Sequence, residues 1–230
     1  MPSDPLNTDQ PASQARQPAS ARPVGGRRLG TRERIVQAAG ALLYHEGVRA
    51  AGVDAIAERA GVAKRTLYKH FRSKDDLIEA YLRKLDESSR RTFEFLLGEP
   101  GRPAEQRVAN LFRELGGLVV NVRWKGCGFA KAAIELAGLP GHPAAKVARD
   151  HKRTFELWRA ELLKADGVPG PEKLARRLMV LVDGAITQGV IHHEPAVALE
   201  AREMAVELIA AARRNTDRHP AGGAELARAC

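Results

Sequence analysis

Between Gly61 and Lys74 the chain carries five Lys or Arg residues, Lys64, Arg65, Lys69, Arg72 and Lys74, with His70 among them and no acid. Ammonium and guanidinium groups at this density displace counterions from nucleic-acid phosphates, and Arg or Lys can bond guanine O6 and N7 in the major groove. Spacing decides whether they form one surface. On a helix from Lys64 to Arg72, turning about 100° per residue, Leu67 and Phe71 fall together with Tyr68 at their edge. Arg65, Lys69 and Arg72 then cluster opposite, with Thr66 beside them. Lys64 fits this wheel poorly and sits at the helix start, where its side chain can leave the face. A core helix has no use for one-sided charge, and a solvated one usually mixes signs. The competing interpretation is an ordinary exposed basic helix.

Such a surface needs a scaffold. From Thr31, Ile35, Ala38, Ala39, Leu42 and Leu43 recur at helical spacing, with Thr31 expected as N-cap and Gly47 as the stop. Val53, Ile56, Ala57 and Ala60 make a second, shorter stripe interrupted at Gly61, which with the basic helix has helix-turn-helix spacing. Ser73 caps a longer helix with Asp75 and Asp76 in its first turn and Leu77, Ile78, Tyr81, Leu82 and Leu85 on one side. No stretch alternates with period two, so an all-α fold is expected.

The run "TRERIVQAAGALLYHEGVRAAGVDAIAERAGVAKRTLYKHFRSKDDLIEAYL", residues 31–82, resembles the DNA-binding domain of the TetR/AcrR family of bacterial transcriptional regulators, most specifically in "AGVAKRTLYKHFRSKDDL", residues 60–77. The resemblance implies an N-terminal three-helix DNA-binding domain and a larger C-terminal helical domain that dimerises and holds a small-molecule pocket. Position by position, Ala63, Lys64, Arg65 and Thr66 match the base-edge and phosphate contacts, and Tyr68 and His70 match positions that touch phosphate. Lys69 stands where many relatives carry an aromatic residue, and Lys74 matches the phosphate-binding lysine at the mouth of the fourth helix. Relatives often place Thr or Ser before the second helix; here Ala50, Ala51 and Gly52 remove that hydroxyl.

Downstream, helices are expected over residues 105–123, 143–165, 171–190 and 195–214, and "WKGCGFAKAAIELAG" at 124–138 resembles the segment that opens the next helix in many relatives. The resemblance makes the last pair a four-helix interface with its copy, placing two recognition helices about one DNA turn apart over a palindrome. Phe112, Trp124, Phe129, Phe155 and Trp158, the large apolar groups of the middle helices, are the candidate effector pocket against plain core packing. Cys127 is weighed as a redox sensor against inert packing. His192 and His193 are weighed as a metal site, with His142 and His151 upstream, against a surface cluster at a helix end, which is favoured because adjacent histidines diverge on a helix.

The whole sequence fits this division. It has 230 residues, enough for a sizeable core, and a formal net charge of +9, which suits a polyanionic partner. Residues 1–28 are expected to form a disordered basic tail, with five prolines and Arg22, Arg27 and Arg28 at its end, poised to follow DNA phosphates or to aid solubility. They lack the apolar centre of a secretory signal. The DNA-binding domain is expected over 29–76, the effector and dimerisation domain over 77–214, and a flexible tail over 215–230. Apolar runs reach about five residues, as in Leu178 to Val182, so no span is expected to cross a bilayer. Two distant cysteines, Cys127 and Cys230, point to a reducing, cytoplasmic setting. No catalytic motif, metal-ligand spacing or phosphate-cradling loop is present, so neither enzymatic activity nor a cofactor is expected. The expected function is a ligand-responsive regulator, repression being the family's usual outcome, that binds a palindromic operator as a homodimer and is released by a small-molecule effector. The rivals are a helical enzyme or binding protein with an incidental basic helix, and a DNA compactor without sequence preference.

Overall fold

The computed structural model describes residues 29–97, 101–139 and 141–218. The tail expected over 1–28 and residues 219–230 lie outside them. The described residues form nine helices and no strand. Helix α1 (Thr31–Glu46) buries Ile35, Ala38, Ala39 and Leu43, the expected stripe. Thr31 is its first helical residue and not its cap. Helix α2 (Val53–Ala60) starts at Gly52, which gives no side-chain cap bond. It ends at Gly61 in the left-handed conformation (φ 64°). The Gly61 N–H donates to Glu58 O at 3.0 Å and the Val62 N–H to Ala57 O at 3.0 Å. This reciprocal closure reverses the chain in three residues, a geometry that glycine adopts without a Cβ penalty.

Helix α3 (Lys64–His70) follows at once. It stops one residue short of Phe71, whose extended backbone (φ −138°) takes Arg72 off the expected face. Helix α4 (Lys74–Leu96) opens at Ser73, whose hydroxyl accepts from the Asp76 N–H at 3.0 Å. Helix α5 (Ala104–Val119) ends four residues before the expected Arg123. The Asn121 side chain accepts from the Arg123 N–H at 3.0 Å, an asparagine turn that competes with helix continuation and leaves Val122 exposed.

Helix α6 (Gly128–Glu135) is short, and α7 (Pro143–Ala165) matches its expected bounds. The His142 ring caps α7, its Nδ1 accepting from the Ala144 N–H at 3.1 Å. Helix α8 (Pro171–His192) runs two residues past the expected end, to His193 at φ 56°. Helix α9 (Ala196–Arg218) includes residues 215–218, which the sequence had assigned to a flexible tail.

Two apolar clusters hold the helices. One joins α1, α2, α3 and the first half of α4 to Phe129, Ala132 and Leu136 around α6 and to Ala144, Ala145, Val147 and Ala148 at the start of α7. The other joins α5, the end of α7, α8 and α9. Helix α4 contacts α1, α5 and α7, so it runs between the two clusters. Met204 on α9 is half exposed.

Candidate nucleic-acid interface and cavity

The helix-turn-helix is pinned from beneath. Leu67 is fully buried and Phe71 nearly so, within the cluster that also holds Ile35, Ile56 and Leu77. The Arg32 guanidinium lies 4.9 Å from the Phe71 ring centre, a cation–π contact on the same anchor. With that side fixed, α3 turns Lys64, Arg65, Tyr68, Lys69 and His70 outward, and Ala63 before it is exposed too. Thr66 is half-buried beside them.

Two expected contacts are engaged within the protein. Lys64 Nζ lies 2.8 Å from Asp54 Oδ1 on α2, and the hydrogen bond to Asp54 raises its pKa. Lys74 Nζ donates to Arg49 O at 2.8 Å, tying the start of α4 to the loop before α2. That loop is also held from the far side, where the Arg49 N–H donates to Glu135 Oε2 at 3.0 Å. Arg72 N–H donates to Asp76 Oδ2 at 3.1 Å in the link from α3 to α4.

A cavity of about 400 Å³ lies among α1, α4, α5, α7, α8 and the segment before α6. Trp124, Phe129 and Phe155 line it. Phe112 and Trp158, expected with them, do not. Phe112 is fully buried in the second cluster beside a void of about 10 Å³, and Trp158 lines a separate groove with Arg90 and Glu94. Helical periodicity says that such side chains are covered; it does not say which neighbour covers them.

Most wall residues escaped the sequence reading, Tyr44, Tyr81 and Arg159 among them. Tyr44 and Tyr81 come from α1 and α4, inside the segment read as DNA-binding. Arg159 lies one helical turn beyond Phe155, and a charge on an apolar face was the available signal. Burial raises the pKa of both tyrosines. The Tyr44 hydroxyl donates to Gly126 O at 3.0 Å and accepts from the Lys125 N–H at 2.8 Å. Lys131 Nζ donates to Tyr44 O at 2.5 Å. Thus one wall of the cavity is bonded to α1.

His151 stacks on Phe129 with ring centres 3.5 Å apart and meets Asp86 Oδ1 at 2.6 Å through Nδ1. Because a carboxylate only accepts, Nδ1 carries the proton. Burial holds the His151 pKa below its ordinary value against the pull of Asp86. Cys127 also lines the cavity, as a half-buried free thiol. His192 Nε2 faces Gln188 Oε1 at 3.1 Å, and among the described residues no group of three His, Cys, Asp or Glu is placed to hold a metal ion. No helix among those residues is long and apolar enough to cross a membrane.

Residues 35–81 match the model of the bacterial regulatory proteins of the tetR family. Over 182 residues the chain is 25% identical to the HTH-type transcriptional regulator YjdC of Escherichia coli, covering 79% of this chain and 95% of that protein. SCO4454, a TetR-family transcriptional regulator from Streptomyces coelicolor, is 30% identical and superposes with a TM-score of 0.66 over 80% of this chain and 95% of its own. A protein from Streptomyces avermitilis, sav143, described as a TetR transcriptional regulator, is also 30% identical, with a TM-score of 0.71 over 80% of this chain and 99% of its own. With an outward basic helix seated on Leu67 and Phe71 and this likeness along most of its length, the chain belongs to the TetR family of transcriptional regulators, non-enzymatic proteins with a DNA-binding helix-turn-helix.

Proposed function

We propose that the protein is a repressor that binds a palindromic operator as a homodimer and leaves it when a small-molecule effector enters the cavity. The observation that carries this is the polarity of α3: Leu67 is buried while Arg65 and Lys69 are exposed on the same helix. Arg65, Thr66 and Lys69 read base edges, and Ala63 brings the backbone close to the groove. Lys64 joins them once it leaves Asp54. Tyr68, His70 and Lys74 contact phosphates. The DNA-binding domain spans 29–76 and the sensing and pairing domain 77–214, and the protein works in the cytoplasm beside its DNA.

Pairing through α8 and α9 is supported by the outward stripe of α8, where Val180 and Ile191 are 68% and 61% exposed with Gly184 and Thr187 between them. A chain with both residues in water has apolar area to cover. The effector reading is supported by the cavity's dimensions and by its shared wall. Tyr44 belongs at once to α1 and to the cavity, and its hydroxyl bonds join α1 to the segment that opens α6. A ligand that binds better when this wall is displaced favours dimers whose two α3 helices miss successive grooves; the shift equals its difference in affinity for the two states.

Selection of fragments from sheared genomic DNA tests the reading. A few palindromic sites should be enriched, and Tyr44→Phe should weaken release by effector more than it weakens operator binding. Uniform recovery of all duplexes would make the protein a compactor, and recovery of none would remove DNA as its partner.

A further inference from the structure

The cavity wall is mostly apolar, and one buried charge within it forms no salt bridge among the described residues. Arg159 is 3% exposed and lines the cavity on one side and the small void beside Phe112 on the other. Its guanidinium carbon lies 5.3 Å from the Phe93 ring centre and 6.0 Å from that of Phe155. Nη1 donates to Phe155 O at 3.1 Å and touches Met179 Sδ at 3.0 Å. Nη2 is buried and meets no acceptor among the described residues.

The neighbouring carboxylates are already engaged. Asp183 is paired with Lys152 in the same wall and acts on Arg159 only through its field, without a salt bridge. Asp86 holds His151 at 2.6 Å and Arg90 at 3.3 Å. Burial pushes the Arg159 pKa down to about 10, which still leaves the group charged at neutral pH. A buried donor without an acceptor is costly, and a buried cation without an anion more so.

We infer that the effector is an apolar molecule bearing a single carboxylate, with its acid group on Arg159 and its body among Phe93, Trp124, Phe129 and Phe155. The inference rests on the reading of this cavity as the effector site. The charge count favours carboxylate over phosphate. A phosphate monoester brings nearly two negative charges, whereas Lys152 is taken by Asp183 and only Arg159 is left to answer them. A carboxylate supplies one charge and the acceptor that Nη2 lacks. The aromatic walls and about 400 Å³ suit a body of drug-like or medium-chain size.

Calorimetry on the full chain with two matched pairs tests this: decanoate against 1-decanol, and 1-naphthaleneacetate against 1-naphthaleneethanol. In at least one pair the acid should bind about tenfold or more tightly than the alcohol, the expected gain from a charge-assisted hydrogen bond. Arg159→Met, similar in length and uncharged, should bring that ratio near one while the alcohol binds as before. Arg159→Lys should keep a preference for the acid, which also covers the case in which the Met variant does not fold. A ratio near one in the natural chain, or a preference that survives Arg159→Met, overturns the carboxylate inference; with the alcohols bound, the cavity remains an effector site. Failure of all four compounds to bind overturns the effector reading and this inference together.

Discussion

Lys64 and Arg65 are adjacent cations with different surroundings. Lys64 is held by Asp54 across the turn, while Arg65 has no ion pair among the described residues. Arg65 can therefore reach a base without first breaking a contact. Arg65→Ala should cost about 1–3 kcal/mol on a selected site and flatten preference at one base pair. Binding titrations on selected and random duplexes read this directly; an equal loss on both would assign Arg65 to phosphate. Legibility also divides at this scale. The outward charges of α3 and its anchors Leu67 and Phe71 follow from spacing alone. Arg159 does not, because its distinction is the lack of a neighbour, and neighbours are supplied by helices far along the chain. For the same reason Phe112 and Trp158 could not be told from Trp124, Phe129 and Phe155 by residue type.

Helix α8 crosses α5 at Gly189, where a Cβ would stand 2.5 Å from Val119 Cγ2. Val is stiff at χ1 and has little room to yield. Gly189→Ala should therefore lower stability by about 1–3 kcal/mol, and Val119→Ala in the same chain should recover part of the loss. Urea unfolding of the single and double variants measures both; two losses that simply add would place the helices further apart. Between α4 and α7 one tie is His151 on Asp86, with Lys152 and Arg159 of α7 also acting on the imidazole. Its folded pKa is depressed, so the unfolded chain takes up a proton first. The stability this contributes is complete above the ordinary imidazole value of about 6.5 and is lost as pH falls through the lower folded value. The melting temperature of the natural chain should fall more steeply below that pH than the melting temperature of His151→Gln. Parallel curves would show that the imidazole titrates alike folded and unfolded.

For the molecule as a whole, paired heads should touch about eight to twelve phosphates, giving a log–log salt slope on the order of −7 to −10. Glu at both Val180 and Ile191 places like charges on the outward stripe of α8. That double variant should sediment as a monomer, with a slope about half as steep. Salt titrations of operator binding together with sedimentation test both statements. A variant that still dimerises would move the pairing surface off this stripe.

What the chain determined by itself is local. Periodicity set the helices, Gly61 the reversal between α2 and α3, Ser73 the start of α4, and the one-sided charge of residues 64–74 the partner. These depend on neighbours within about one or two helical turns, which any stretch of sequence displays. Tertiary structure decided the rest. It brought Tyr44 and Tyr81 into the cavity wall, paired Lys152 with Asp183, and left Arg159 Nη2 without an acceptor among the described residues. Each depends on groups tens of residues apart, and only the packing of whole helices sets those distances.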